Sequence, residues 1–301
     1  VIENAGNPTN QPEHNTLAVI PDDELTYVLR PDTKMFVSIL RSTKAFNFDP
    51  PVLYLKHDDK FRMSERLRAY LEKESRLHYT YSTDSHGFRR TVPSVDSPEQ
   101  VLIIGDSVPF GVGVADESTA ASHLQKLIGK RYRIINASVG GYDGQQAFLM
   151  AKKISNKTRF AGLIYVACQN DFMGQDDWIQ EANNVLVRIK SISQRFGDNV
   201  IVVLHTYMEY SLRDIFLANG WKQKRIEKTH ALRSALPRIC KEYVYEYYDW
   251  TDIVDDFLKV EKNIFSRFAL YADHAHLSPL GNRLMAEKLF KIMEYKWQGK
   301  T

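Results

Sequence analysis

From Val101 onward the chain alternates short, wholly apolar runs with longer amphipathic stretches, and that rhythm predicts its architecture. Val101-Leu-Ile-Ile104 is followed at once by Gly105-Asp106-Ser107, as expected of a strand buried on both faces that ends in a loop. Similar runs occupy Tyr132–Asn136, Gly162–Val166 and Asn199–Leu204, with a last candidate strand at Tyr243–Asp249. Between them Ser118–Ile128, Gln145–Ile154 and Asp177–Phe196 read as helices, and Pro279–Trp297 reads as a closing helix. Strand alternating with helix at this spacing predicts an α/β domain over residues 99–301, a parallel sheet covered on both faces.

Upstream the texture differs. Thr26–Leu29, Met35–Leu40 and Val52–Leu55 are short β-prone pieces broken by Pro31, Pro50 and Pro51. Asp58–Arg76 carries Phe61, Leu67, Tyr70 and Leu71 at spacings that suit a short amphipathic helix, and Tyr79–Arg90 returns to polar, extended character. Residues 1–98 therefore read as a smaller, irregular, partly β-structured N-terminal region. Its opening, Val1–His14, is polar and turn-rich like a linker, which leaves room for an upstream membrane anchor or signal segment.

Composition narrows the class more than the chemistry. At 44% hydrophobic and 26% charged, the 301 residues have the balance of a folded globular protein. Forty basic against 37 acidic residues leave a net charge of +3, which gives no reason to expect nucleic acid or an anionic membrane surface as a partner. No run of 18 apolar residues occurs, so no transmembrane span is expected within this chain. The two cysteines, Cys168 and Cys240, are too few for a disulfide framework and lack zinc-site spacing, so they are expected as buried thiols.

In open parallel sheets the functional loops follow the carboxyl ends of the strands, which directs attention to the residues after each apolar run. Those residues are Gly105-Asp106-Ser107, Ala137–Gly141 and Cys168-Gln169-Asn170-Asp171, with Tyr271–His276 preceding the final helix. A serine hydroxyl becomes a useful nucleophile only when a base takes its proton and a carboxylate orients that base. Ser107, His276 and Asp273 supply those three types, and a turn would bring the Asp273 carboxylate to one imidazole nitrogen while the other faces Ser107. Taken singly, each has a plainer reading: Gly-Asp-Ser as a strand-end turn with Asp106 or Ser107 as helix cap, and Asp-x-x-His as a turn with a surface histidine. His274 is a rival base in the same loop. Metal binding by Asp273, His274 and His276 would lack the helical spacing of known zinc motifs, so no metal is expected. An attacked ester develops an oxyanion, for which the backbone N–H groups of Ser107 and Gly141 and the side-chain amide of Asn170 are donors of the right type. Gly140-Gly141 as a hinge and Asn170-Asp171 as a helix start are the ordinary alternatives.

Together these residues resemble the SGNH (GDSL-type) hydrolases, through four ordered blocks: Gly105-Asp106-Ser107, Asn136–Gly141, Asn170-Asp171 and Asp273-x-x-His276. The resemblance spans about residues 100–297. It implies a flavodoxin-like three-layer sandwich, Ser107 as nucleophile, an oxyanion hole from Ser107, Gly141 and Asn170, and His276 as a base held by Asp273. No cofactor is implied. Tyr81–Arg90, which contains Gly87-Phe-Arg89, is similar to the Asn-Ser-x-Gly-Phe-Arg segment that precedes the first block in bacterial members with an extra N-terminal region. Two departures stand out. Cys168 occupies the glycine position of the usual Gly-x-Asn-Asp, which is expected either to crowd the oxyanion pocket or to shift the loop, and Ser138 stands where many bacterial relatives carry glycine.

The expected activity is hydrolysis of short acyl esters, acetyl among them, on a small-molecule or glycan substrate through an acyl-enzyme, in a bacterial periplasmic or membrane-anchored extracytoplasmic setting. Two alternatives are an O-acyltransferase working with a membrane partner and a non-catalytic glycan- or partner-binding module on the same fold. Tyr207, Tyr210, Phe216, Trp221 and the basic run Lys222–Lys228 suit either a sugar-stacking surface or a helical cover with a solvated basic face.

Overall fold

In the computed structural model, which describes residues 18–40, 76–172, 176–211, 213, 223–261, 269–273 and 275–297, the apolar runs become one parallel sheet. The expected strand Val52–Leu55 and nearly all of the expected helix Asp58–Arg76 lie outside the described residues. Among the described residues the N-terminal region contributes an antiparallel hairpin, β1 (Val19–Asp22) with β2 (Thr26–Leu29), and an antiparallel strand pair, β3 (Lys34–Leu40) with β4 (Arg76–Ser82). Leu25, Leu29, Met35, Tyr79 and Tyr81 bury their side chains in the same apolar cluster as the sheet.

The sheet proper runs through β5 (Gln100–Gly105), the one-turn helix α1 (Ser107–Phe110), α2 (Ala120–Ile128), β6 (Arg133–Asn136), α3 (Gly144–Ser155), β7 (Gly162–Cys168), α4 (Trp178–Lys190), β8 (Val200–His205), α5 (Met208–Ser211), α6 (Gln223–Glu242), β9 (Glu246–Asp249), α7 (Trp250–Glu261) and α8 (Pro279–Trp297). Its order is β6-β5-β7-β8-β9, all parallel, the 2-1-3-4-5 order of flavodoxin-like folds. Every residue of β7 and β8 is buried, as wholly apolar runs require. Successive residues face opposite layers. Leu102, Ile104, Leu163, Val200 and Val202 pack with α3, α4 and α6, whereas Val101, Ile103, Ile164, Ile201 and Val203 pack with α2, α7 and α8. At about 1.5–3 kcal/mol for each buried aliphatic side chain, the two faces are the main source of the domain's stability.

Two expected boundaries move for local reasons. The stretch Asp177–Phe196 is α4 followed by a separate 3₁₀ turn, Ser193–Phe196, rather than one helix. The last strand begins at Glu246 and not at Tyr243 because α6 closes with Val244 in the left-handed region, φ +64°, its N–H donating to Lys241 and that of Tyr245 to Cys240. That is a Schellman closure, and it consumes the first residues of the expected strand. Among the described residues no helix is long and apolar enough to cross a membrane.

Candidate active site

Ser107 opens α1 directly after β5, and the residues before it explain why the chain can turn there. Gly105 has φ +146°, and a Cβ on it would lie 2.6 Å from the Val166 carbonyl oxygen and 2.7 Å from Pro109 Cγ, so glycine alone fits. Asp106 caps α1, its Oδ1 accepting from the Val108 N–H at 2.9 Å. The capping reading of Gly-Asp-Ser therefore holds for Asp106, whose Oδ2 also lies 3.4 Å from the Ser107 hydroxyl.

His276 comes from the loop before α8. That loop is pinched shut at its foot, where Ala272 N–H donates to the His276 carbonyl at 2.7 Å and Ser278 N–H to that of Leu270 at 3.0 Å. Inside it Asp273 Oδ1 accepts the N–H groups of Ala275 (2.8 Å) and His276 (2.7 Å), and Oδ2 meets His276 Nδ1 at 2.7 Å. The other ring nitrogen, Nε2, lies 2.8 Å from Ser107 Oγ. Ser107, His276 and Asp273 are thus brought into one hydrogen-bonded line, across 169 residues of chain. His274 lies outside the described residues, among which no group of His, Cys, Asp and Glu side chains is arranged to hold a metal ion.

Burial disfavours a charged His276, but the carboxylate of Asp273, its hydrogen bond and the more distant Asp106 outweigh burial and hold the imidazole pKa above its ordinary value. With Asp273 on Nδ1, that nitrogen carries the proton of the neutral ring and Nε2 is the acceptor facing Ser107.

The predicted oxyanion donors come from three strand ends. Gly140 and Gly141 follow β6, and a Cβ placed on Gly140 would come 3.8 Å from Ser107 Cβ. Asn170 sits in a 3₁₀ turn, Gln169–Asp171, after β7, the strand paired directly with β5. Among the described residues no acceptor takes the backbone N–H of Ser107 or Gly141. Ser107, Gly140, Gly141, Asn170 and His276 keep partial exposure, whereas most residues flanking them are buried.

Cys168, the residue in the unusual glycine position, turns its thiol below the site. Its Sγ donates to Asp106 Oδ1 at 3.1 Å, and its N–H donates to Asp171 Oδ2 at 3.3 Å, which also accepts from Tyr165 Oη at 2.6 Å. Burial, reinforced by the charge of Asp106, pushes the Asp171 carboxyl and the Cys168 thiol well above their usual ranges. The thiol thus braces the Asp106 cap from beneath. Both cysteines are free and buried.

Three residues have contacts that the sequence did not announce. His205, the last residue of β8, is fully buried and its Nε2 lies 2.7 Å from the Ala275 carbonyl, so it grips the loop between Asp273 and His276. Burial drives its pKa down to about 4, which keeps it neutral with the proton on Nε2. Arg89 is buried between Tyr81 and Phe110, pairs with Asp116 at 2.9 Å and donates to the Val114 carbonyl at 2.8 Å, bracing the turn after α1. Tyr27 reaches the Gly140 carbonyl at 2.8 Å. Of the aromatic and basic stretch after β8, Tyr207 and Tyr210 are buried, and Gln223–Lys228 begin α6 with Ile226 turned inward, which fits the helical cover rather than a stacking surface. Phe216, Trp221 and Lys222 lie outside the described residues.

The layers, the strand order and the placement of the four blocks at the carboxyl edge give the chain the fold of the SGNH (GDSL-type) hydrolases. A member of the lipolytic G-D-S-L family from Veillonella parvula superposes with a TM-score of 0.52 at 16% identity, over 65% of this chain and 98% of the other. An acetylxylan esterase from Geobacillus stearothermophilus gives 0.51 at 16% identity, over 67% and 96%. An α/β hydrolase from the metagenome of Lake Arreo gives 0.50 at 13% identity, over 65% and 95%. No family model matches the sequence, and no curated protein matches it.

Proposed function

We propose that this chain is a serine esterase that removes short acyl groups, acetyl first among them, from an alcohol, and that the alcohol is a carbohydrate. The observation that carries the reading is the continuous line from Asp273 Oδ2 through the His276 ring to Ser107 Oγ, at 2.7 and 2.8 Å. In this reading Ser107 Oγ attacks the ester carbonyl carbon as its proton passes to His276 Nε2, and Asp273 stabilises the imidazolium that forms. The carbonyl oxygen, now negative, accepts from the N–H groups of Ser107 and Gly141 and from Asn170 Nδ2. Collapse expels the alcohol, which takes the proton from Nε2. Water then attacks the acyl-serine with His276 as base, releasing the carboxylic acid and restoring Ser107. The carbohydrate assignment draws on the acetylxylan esterase that shares the fold.

Steady-state hydrolysis of p-nitrophenyl acetate, butyrate and octanoate by the wild type and by Ser107→Ala, beside labelling with a serine-reactive phosphonate, tests the reading. Turnover should decline with chain length, and the variant should lose at least about 10⁴-fold in kcat together with all labelling. A wild type that neither turns over nor labels would bring forward a partner-dependent acyltransferase or a binding module.

A further inference from the structure

The β1–β2 hairpin lies outside the segment that carries the four sequence blocks, yet it reaches into the loop after β6. Tyr27, on β2, donates its hydroxyl to the carbonyl of Gly140 at 2.8 Å. That carbonyl belongs to the peptide joining Gly140 to Gly141, whose N–H is assigned above to the oxyanion. In a planar trans peptide the two groups point in opposite directions, so whatever fixes the carbonyl also aims the N–H.

The peptide needs fixing. Val139–Tyr142 is a turn closed by the Tyr142 N–H on the Val139 carbonyl at 3.2 Å, and Gly141, at its third position, has the φ of +86° that a type II turn requires. Rotating the central peptide by about 180° gives a type I turn and leaves the closing hydrogen bond in place. It would also present the Gly140 oxygen where the Gly141 N–H had been. With glycine at both central positions no Cβ opposes the rotation. Tyr27 opposes it, because its hydroxyl would lose its acceptor.

Tyr27 is itself anchored. Its ring meets Tyr142 edge-on at 5.4 Å between centroids, and its carbonyl accepts from the Tyr142 hydroxyl at 2.5 Å. The hairpin is tied to α3 by Gln146 Nε2 on the Leu25 carbonyl at 3.0 Å and by the Lys153–Asp22 ion pair. Burial, with the charge of Asp143, keeps the phenol pKa above its ordinary value, so Tyr27 remains a donor at any working pH.

We propose that Tyr27 is a positioning residue that locks the Gly140–Gly141 peptide in the orientation offering the Gly141 N–H to the oxyanion. The proposal rests on the esterase reading above. Tyr27→Phe is the test, with Lys153→Ala as a control that loosens the hairpin without touching Gly140. Both are measured for kcat, KM, phosphonylation rate and thermal midpoint, with p-nitrophenyl acetate as substrate.

In Tyr27→Phe, kcat and the phosphonylation rate should fall together by about five- to ten-fold, the weight of one neutral hydrogen bond, at unchanged KM and midpoint. Lys153→Ala should keep wild-type kcat. Wild-type rates in Tyr27→Phe overturn the proposal. So does a fall in Tyr27→Phe that Lys153→Ala matches, with a lowered midpoint in both, since the hairpin would then act only through stability. If the wild type neither hydrolyses nor labels, the esterase reading fails and takes this one with it; a wild type silenced only by Ser107→Ala confines any failure to Tyr27.

Discussion

Replacing Asp273 with asparagine exchanges one carboxylate oxygen for an amide nitrogen, and the loop dictates which. Oδ1 accepts two backbone N–H groups, from Ala275 and His276, at 2.8 and 2.7 Å. An amide nitrogen there would set donor against donor twice, at about 1–3 kcal/mol each, so Asp273→Asn keeps its carbonyl oxygen in that position. Its Nδ2 must then face His276 Nδ1. That nitrogen becomes an acceptor, the ring proton moves to Nε2, and Nε2 no longer accepts the proton of Ser107. The expected loss in kcat is about 10⁴-fold, or roughly 5.5 kcal/mol of transition-state stabilisation. Because both backbone hydrogen bonds survive, the thermal midpoint should stay within about 2 °C of wild type. Hydrolysis of p-nitrophenyl acetate at pH 8, with a thermal melt of each preparation, reads both quantities. An Asp273→Asn enzyme within ten-fold of wild-type kcat at an unchanged midpoint would refute the assignment of Asp273 as the group that sets the tautomer of the base.

Because Asp273 holds the His276 pKa above its ordinary value of about 6.5, and catalysis needs the neutral ring, kcat/KM should be lost as pH falls through a midpoint above 6.5; a pH–rate profile with an acid limb below 6 contradicts this. His205 has the opposite linkage: its folded pKa is about 4, so the unfolded chain binds the proton first, and stability should drop as pH falls from about 6.5 toward 4, by roughly 3 kcal/mol in all. Urea titrations of wild type and His205→Phe across that window should differ in slope by this contribution, and parallel profiles would show that His205 takes up its proton without unfolding. Gly105→Ala should cost at least about 2 kcal/mol, since its Cβ would sit 2.6 Å from the Val166 oxygen at a φ of +146°; denaturation midpoints matching wild type would mean that β5 and α1 shift apart to admit it.

The first four strands of the sheet were legible because each is a local pattern, an apolar run ending in glycine or polar residues, whereas the last, Glu246–Asp249, is not such a run. Ser107, Gly141, Asn170, Asp273 and His276 drew attention for the same reason, standing after those runs or before the last helix, and the structure brings Ser107, His276 and Asp273 into one hydrogen-bonded line. What escaped was set by distant partners. Tyr27 bonds a carbonyl 113 residues away, and nothing beside it in sequence announces that. Arg89 lies in a recognised segment, but its burial against Phe110 and Asp116 depends on the turn that follows α1. His205 had a usable signal, a single imidazole closing an otherwise apolar strand, which stands out once one asks what holds Ala275. The start of β9 was missed because Val244, a β-branched residue, adopts the left-handed helix-closing conformation that sequence rules reserve for glycine or asparagine.

Ser107 and His276 meet across 169 residues, on opposite sides of four crossover connections. Non-local pairings of this kind are made late, since chain entropy must be surrendered before they give anything back. The proposed ester cleavage should therefore be among the last properties to appear as the chain refolds, after the helical signal has recovered and while the segment bearing Asp273 and His276 is still docking. Regained turnover would then time the closure of the domain, and an incompletely folded chain would be harmless to the esters around it.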